Sequence, residues 1–344
     1  MFIPWHDPAM RLTGRWTHQG YPPVPGEARR YGVTVTTAPG SSLELAFSGR
    51  DVRLVFDLGY AAQPLPHLWL CLDGQAQVEV PLDRHLRVTA PDEGSHILRL
   101  VYKGGPEVWP RWHPPLMGAV AFAGAFAEAA ATLPPDDRLL VEFVGDSITE
   151  GVLVDADFAP QPCNLLEQFD RPYQDDSSAT YASLTARRLN LRPMFQAYGA
   201  VGAVQHGCGG VPDAPSIYPY VVDGLPYTGP SPRIVVVNHG TNDARHPPAV
   251  FAAGYDRLLD AIRQKHPGTV IVCLSPFCGV FEAEIAACVA RRRQDGDPLI
   301  HFISTQGWLP REPIHPLREG HRAAADRLTP LLESIIHHMK EDEP

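Results

Sequence analysis

The first part of the chain alternates apolar and polar residues over short segments, which predicts β-strands. Between about residues 30 and 126, six such segments are separated by turns, and no helical pattern interrupts them. Asp73-Gly74 joins two of the segments and is typical of a hairpin turn. The spacing predicts an antiparallel β-sandwich. The six segments are Leu43–Phe47, Val52–Leu58, His67–Leu72, Gln77–Val80, His96–Tyr102 and Ala119–Phe122.

The pattern changes near residues 132–137. From there on, near-continuous apolar runs alternate with longer segments of helical periodicity, which predicts a parallel sheet with helices on both faces. We therefore predict two domains, a sandwich over residues 1–133 and an α/β domain over residues 138–344. The predicted strands of the second domain are Leu139–Val144, Met194–Ala197, Ile234–Asn238, Thr269–Leu274 and His301–Ser304. The predicted helices are Ala179–Leu189, Val250–Lys265, Glu282–Arg292 and Glu319–Met339.

Composition narrows the class of protein. The chain has 344 residues, of which 44% are hydrophobic and 20% are charged, as in a folded globular protein. Its net charge of -10 argues against nucleic acid or an anionic membrane as the main partner. We expect no signal peptide and no membrane helix, because the N-terminus has no basic or long apolar segment and no apolar run is long enough. The six cysteines include no CxxC pair, so we expect reduced thiols and a cytoplasmic location.

Four polar segments follow predicted strands or precede the last predicted helix. Active sites of parallel α/β sheets lie beyond the carboxyl ends of the strands, so these segments should meet at one edge. Each alone is an ordinary turn or helix start. They are Gly145-Asp146-Ser147, the glycine-containing loop 198–203, the block Asn238-His239-Gly240-Thr241-Asn242-Asp243, and Glu312-Pro313-Ile314-His315-Pro316.

The residue types in these segments are those that acyl transfer requires. Ser147 offers a nucleophilic hydroxyl, and His315 offers a base that titrates near neutral pH. Asn242 and a glycine N–H can donate hydrogen bonds to an oxyanion. Glu312 precedes His315 by three residues and could orient its imidazole. Asp146 and Asp243 are more typical of carboxylates that hold turns through backbone N–H groups.

Together and in this order, the four segments resemble the blocks of the SGNH (GDSL) hydrolases, a family of flavodoxin-like α/β esterases and deacetylases. The resemblance covers roughly residues 138–340. It implies that Ser147 is the nucleophile and that His315 is the base. It also implies an oxyanion hole formed by Ser147, Asn242 and Gly202.

Within that resemblance, two assignments stay open. Gly199 is the alternative to Gly202 as the glycine of the oxyanion hole. The acid before the base is usually an aspartate in the family, whereas this chain has Glu312, and some related esterases are thought to work as Ser–His dyads. Activity is therefore expected whether or not Glu312 orients His315.

The predicted sandwich extends the resemblance to two-domain carbohydrate esterases, in which a jelly-roll-like domain precedes the SGNH domain. This implies a deacetylase that acts on an O-acetylated sugar or oligosaccharide without a cofactor. Trp308, Trp112 and Tyr218 are candidate substrate contacts, because aromatic rings stack on sugar C–H faces, although packing is the alternative for each. Residues 152–177 contain five aspartates without the spacing of the twelve-residue calcium loop, so we expect a surface loop or lid and no metal.

Two other functions remain open. The same site could cleave longer acyl chains, as in a lysophospholipase or thioesterase. The chain could also be a carbohydrate-binding protein whose hydrolytic site has decayed. The oligomeric state is not predicted.

Overall fold

The computed structural model describes residues 1–19, 32–156 and 172–341. Its first part, hereafter the sandwich, consists of short antiparallel strands. These are β1 (Phe2–Pro4), β2 (Met10–Thr13), β3 (Thr17–Gln19), β4 (Val33–Thr36), β5 (Ser42–Ser48), β6 (Asp51–Phe56), β7 (His67–Leu72), β8 (Val78–Pro81), β9 (His85–Thr89), β10 (Ser95–Gly104), β11 (Val120–Phe126) and β12 (Ala129–Ala130).

The twelve strands form two sheets that enclose one apolar core. One sheet has the order β3-β4-β11-β6-β9 with β1 added to β11, and the other has the order β12-β5-β10-β7-β8 with β2 added to β5. Phe56 and Phe122 of the first sheet bury their rings 5.3 Å apart in the same cluster as Phe47 and Leu100 of the second. The predicted antiparallel β-sandwich is confirmed.

The six predicted segments correspond to β5, β6, β7, β8, β10 and β11. The predicted hairpin at Asp73-Gly74 is present, with β7 paired to β8 and both turn residues at positive φ, as this turn requires. The other six strands, β1 to β4, β9 and β12, were not predicted. They have two to five residues each, so a period of two repeats at most twice in any of them.

The second part, hereafter the α/β part, is built on a parallel sheet. Its strands are β13 (Leu140–Gly145), β14 (Arg192–Ala197), β17 (Ile234–Asn238), β18 (Val270–Leu274) and β19 (Ile300–Ile303), and a small hairpin, β15 (Tyr220–Val222) and β16 (Leu225–Pro226), lies apart. The order β14-β13-β17-β18-β19, with every pair parallel, confirms the predicted flavodoxin-like α/β fold.

Helices cover both faces of this sheet. The described helices are α1 (Ser147–Glu150), α2 (Tyr181–Arg188), α3 (Ala214–Ile217), α4 (Pro248–Lys265), α5 (Glu282–Gln294) and α6 (Arg318–Glu341). Helices α4 and α5 pack on one face, where Val235 and Val237 belong to the same cluster as Leu258 and Ile285. Helices α2 and α6 pack on the other face. The predicted helices correspond to α2, α4, α5 and α6, with ends that differ by at most two residues.

The sandwich and the α/β part share buried contacts. Val33 and Val35 of β4 pack in one apolar cluster with Leu140 and Met194 of the parallel sheet. Arg15, between β2 and β3, lies fully buried and pairs with Glu142 of β13 at 2.7 Å. The predicted domain boundary falls between β12 and β13, although the packing is continuous across it. No helix in the described ranges is long and apolar enough to cross a membrane.

A buried histidine in α6 makes the fold sensitive to acid. His321 accepts the N–H of Tyr181, the first residue of α2, through Nδ1 at 3.1 Å. Burial, together with the nearby His315 and Arg318, lowers the pKa of His321 to about 3. The folded protein therefore keeps this imidazole neutral, whereas the unfolded chain binds a proton near pH 6.5.

We expect the stability that depends on neutral His321 to be present above pH 6.5 and lost progressively as the pH falls toward 3. Between pH 7.5 and pH 5, the wild type should lose about 2 kcal/mol more unfolding free energy than His321→Asn, at about 1.4 kcal/mol per pH unit. Asn retains an acceptor for Tyr181 but does not titrate. Denaturant unfolding at the two pH values measures this difference, and an equal loss in both proteins would contradict it.

Candidate active site

Ser147 lies at the carboxyl edge of the parallel sheet, at the start of a short helix. Strand β13 ends at Gly145, and Asp146 caps α1 by accepting the Ile148 N–H at 3.0 Å. A Cβ on Gly145 would collide with Thr149 in the same helix, so the turn requires glycine there. Ser147 is the first residue of α1, and only 8% of its surface is exposed.

His315 is hydrogen-bonded to this serine. Its Nε2 lies 2.9 Å from the Ser147 Oγ, although the two residues are 168 positions apart in the chain. His315 belongs to the loop that connects β19 to α6, hereafter the histidine loop (residues 304–317). The nucleophile and base predicted from the sequence therefore meet.

An ion-pair network anchors the end of the histidine loop. Arg318, the first residue of α6, pairs with both carboxylate oxygens of Asp155 and also with Asp176, whose Oδ2 lies 2.9 Å from Nη2. Asp176 accepts a second hydrogen bond, at 3.0 Å, from the indole N–H of Trp69 in β7 of the sandwich. The base is thus tied to the sandwich through three side chains.

Three of the five aspartates of residues 152–177 lie among the described residues, and two of them, Asp175 and Asp176, are buried, so this end of the segment is not the surface loop or lid that the sequence predicts. Asp155 and Asp176 bind Arg318, and Asp175 accepts the Leu153 N–H at 2.8 Å. Burial raises the pKa of Asp175 well above its usual range. Asp157 and Asp170, which belong to the same prediction, lie outside the described residues.

The glycine-containing loop after β14 is held by Asp243. The Asp243 carboxylate accepts hydrogen bonds from three consecutive N–H groups, that of Ala203 at 2.8 Å and those of Val204 and Gln205 at 3.0 Å. A Cβ on Gly202 would collide with this carboxylate, so the backbone can approach it only at glycine. Asp243 therefore has the backbone-holding role that the sequence predicts, as does Asp146 in α1.

Asn242 and Gly202 belong to this same arrangement. The Asn242 amide donates to the Val201 carbonyl at 3.0 Å, which places it beside Gly202. The Gly202 N–H donates to Gln205 within its own loop at 2.9 Å, so it would have to share that hydrogen with an oxyanion. The N–H of the alternative, Gly199, lies near the Glu150 carboxylate instead. The oxyanion-hole assignment of these glycines stays a prediction.

Glu312 has a different position from the one expected. Its side chain is exposed at the surface of the histidine loop, and within the described residues its carboxylate makes no hydrogen bond to His315. The geometry therefore does not support the expectation that Glu312 orients the base.

Two of the three candidate aromatic contacts belong to the core. Trp112 is 3% exposed and packs in the same cluster as Tyr198, and Tyr218 is fully buried with its hydroxyl donating to Glu142 at 2.9 Å. Neither can touch a substrate, so both predictions are corrected in favour of packing.

Trp308 is half-buried and remains a candidate. Its ring lies 6.3 Å from that of Phe277 and lines a cavity of about 530 Å³ at the histidine loop. Pro313 and Pro316, which flank His315, line the same cavity. Neither Ser147 nor His315 lines this cavity, so a ligand in it would lie beside the histidine loop and not at the serine itself.

Two buried titratable groups lie next to the site. Burial, together with the nearby Asp243, raises the pKa of Asp146 to about 7. Burial lowers the pKa of His239 to about 4, which keeps its ring neutral. His239 is fully buried, as expected for a structural histidine at the sheet edge.

Sequence reasoning missed the basic residues that stabilise the site. Arg318 and Arg111 pair with carboxylates close to the histidine loop and to α1. A signal was available in the acidic residues, since Glu142 interrupts a buried strand and Glu150 lies inside the serine segment. A buried carboxylate needs a cation, but the sequence does not say which part of the chain supplies it.

Comparison with known proteins identifies the family. Residues 143–323, more than half of the chain, match the model of the GDSL-like lipase/acylhydrolase family. The chain belongs to this family. The predicted SGNH (GDSL) family is confirmed, and the predicted enzyme class, a carboxylic ester hydrolase, agrees with the lipases and acylhydrolases of this family.

Named relatives of this hydrolase include the cellulase/esterase CelE of Acetivibrio thermocellus, with 27% identity over 335 residues that cover 84% of this chain and 36% of CelE. The chain therefore spans about a third of that relative. An acetylxylan esterase/glucomannan deacetylase of Cellvibrio japonicus is 23% identical over 72% of this chain and 69% of its own length. The structure of a family two carbohydrate esterase from Cellvibrio japonicus matches 98% of both chains with a TM-score of 0.75 and 18% identity, which supports the fold.

The exposed position of Glu312 predicts that its charge contributes little to turnover. We expect Glu312→Gln to keep kcat within about threefold of the wild type, whereas His315→Ala should lose roughly 10³-fold, in the range for a missing general base. Steady-state hydrolysis of a nitrophenyl ester measures both variants. Losses of similar size would show that the carboxylate acts on His315.

Proposed function

We propose that this GDSL-like hydrolase is a serine esterase that removes acetyl groups from carbohydrates. The observation that carries the proposal is the 2.9 Å contact between His315 Nε2 and Ser147 Oγ at the carboxyl edge of the sheet. This geometry suits removal of the hydroxyl proton as the serine attacks an ester carbonyl.

In the first half of the reaction, His315 takes the Ser147 proton while Oγ bonds to the ester carbon. The tetrahedral intermediate collapses as His315 passes that proton to the departing alcohol oxygen. An acyl-serine remains, and the sugar leaves with its hydroxyl restored. Water then attacks the acyl-serine, with His315 taking and returning the proton, and acetate leaves.

The negative oxygen needs donors that are fixed before the reaction. The Ser147 N–H is at the first position of α1, where the helix supplies no acceptor. The Asn242 amide carries two hydrogens, of which one is held by Val201, so the second is available to an oxyanion. Gly202 completes the proposed set if its N–H is shared with the substrate.

Since Glu312 is exposed, we infer that Ser147 and His315 carry out the reaction without help from the Glu312 carboxylate. The histidine loop is anchored by the ion pairs of Arg318 with Asp155 and Asp176. Anchoring the loop limits the positions available to the imidazole and so favours the contact with Oγ.

Two observations support a carbohydrate substrate. The relatives named above include an acetylxylan esterase/glucomannan deacetylase and a cellulase/esterase. The cavity beside the histidine loop combines the Trp308 ring with Arg322 and Glu319. An aromatic face can stack on a sugar ring, while charged groups bind its hydroxyls.

We expect a fluorophosphonate probe to label the wild type at Ser147 and to leave Ser147→Ala unlabelled. The probe reacts only with an activated serine hydroxyl, so labelling shows that Ser147 is activated and not merely that the protein is folded. Mass spectrometry of the labelled peptide identifies the residue. A folded wild type that resists labelling would refute the serine esterase and favour a decayed binding protein.

Acyl-chain preference separates a deacetylase from a lysophospholipase or thioesterase. We expect kcat/KM on nitrophenyl esters to be highest for acetate and to fall as the chain lengthens, because Ser147 does not line the apolar cavity beside the histidine loop and that cavity is not placed to receive the acyl chain. An acetylated xylo-oligosaccharide should be deacetylated as well. A maximum at eight carbons or more would favour the lysophospholipase or thioesterase.

A further inference from the structure

The connection between β10 and β11, residues 105–118, leaves the sandwich and packs against the α/β part. The Arg111 N–H donates to the Gly209 carbonyl at 3.0 Å, and a Cβ on Gly209 would lie 2.9 Å from the Glu107 carbonyl. The 105–118 segment therefore runs in direct backbone contact with the chain that follows the glycine-containing loop.

Arg111 is the charged centre of this segment. Its side chain is fully buried, pairs with the Glu150 carboxylate, and lies over the Tyr198 ring with 5.3 Å between the guanidinium carbon and the centroid. Glu150 is the last residue of α1, three positions after Ser147. A side chain of the sandwich thus contacts the opposite end of the helix that begins with the nucleophile.

The same ion pair also reaches the glycine-containing loop. The Gly199 N–H lies close enough to the Glu150 carboxylate to stabilise its charge, and Tyr198 immediately precedes this glycine. Glu107 packs against the Gly199 backbone so closely that a Cβ there would collide with its carboxylate. The 105–118 segment therefore touches the two elements that must hold the serine and the oxyanion.

We propose that Arg111 is a positioning residue of the hydrolase: through Glu150 it fixes α1 relative to the loop that begins at Gly199. The sandwich would then be part of the catalytic scaffold rather than an accessory to it. This inference rests on the proposed esterase activity. A shift of either element by a fraction of an ångström separates Oγ from the donors and lowers kcat more than it weakens substrate binding.

The chain offers a matched control for the cost of breaking a buried ion pair. Arg15 and Glu142 are also fully buried and also join the sandwich to the α/β part. Glu142 lies within β13, and its other oxygen accepts the Tyr218 hydroxyl rather than any group of α1 or the glycine-containing loop. Breaking either pair should destabilise the fold to a similar degree, because each substitution leaves one buried charge without its partner.

The experiment compares Arg111→Met, Glu150→Gln and Arg111→Lys with Arg15→Met and Glu142→Gln in the full chain. Steady-state kinetics on nitrophenyl acetate and the rate of fluorophosphonate labelling are measured well below the melting temperature of each variant. Near-UV circular dichroism gives the folded fraction to which both rates are normalised. We expect Arg111→Met and Glu150→Gln to lose at least tenfold in kcat with KM nearly unchanged, and to label more slowly.

The control variants should keep kcat within about threefold of the wild type despite a similar loss in melting temperature. Arg111→Lys should recover part of the lost kcat, because it restores a cation but not the planar guanidinium. Wild-type kcat in folded Arg111→Met, or an equal loss in Arg15→Met, would overturn the proposal. If Arg111→Met does not fold, Arg111→Lys and Glu150→Gln decide by the same criteria. A wild type without labelling or hydrolysis would refute the esterase itself.

Discussion

The contact between Ser147 and His315 constrains most of the molecule. A hydrogen bond 2.9 Å long must be maintained between residues 168 positions apart, on segments that are short or irregular. A parallel sheet brings the two distant segments together, because the chain returns to the same edge of the sheet after every strand. The serine follows β13, the asparagine block follows β17, and the histidine loop follows β19, so one edge receives all of them.

The sheet alone does not fix the loops at that edge, and carboxylate side chains hold several of them in place through hydrogen bonds. Asp146 caps α1, Asp243 gathers three consecutive N–H groups, and Asp176 joins Arg318 to Trp69. Each carboxylate has several acceptor sites, so one side chain can hold several backbone or side-chain donors together. Burying these carboxylates would be unfavourable without such partners, so each carboxylate requires its own set of donors.

Much of the fold and of the candidate site could be predicted from local sequence. Hydrophobic periodicity gave the longer strands and the main helices, and the order of four polar segments gave Ser147, Asn242 and His315. The shortest strands were not predicted, because two to five residues are too few to show a clear period of two. Trp112 and Tyr218 were predicted as candidate substrate contacts, but both are buried. Their burial depends on tertiary packing, which no local sequence pattern encodes. Glu312 shows the same limit, since spacing places it near His315 in sequence while the loop directs it to solvent.

The buried ion pairs between the two parts have a consequence for how such proteins diverge. The cations Arg15 and Arg111 belong to the sandwich, and the carboxylates Glu142 and Glu150 belong to the α/β part. A recombination that exchanged only the sandwich would leave two carboxylates in the interior with no counter-charge unless the incoming one carried basic residues at the same places. The two parts are therefore expected to be inherited as a unit, and changes in these four residues should be correlated among relatives.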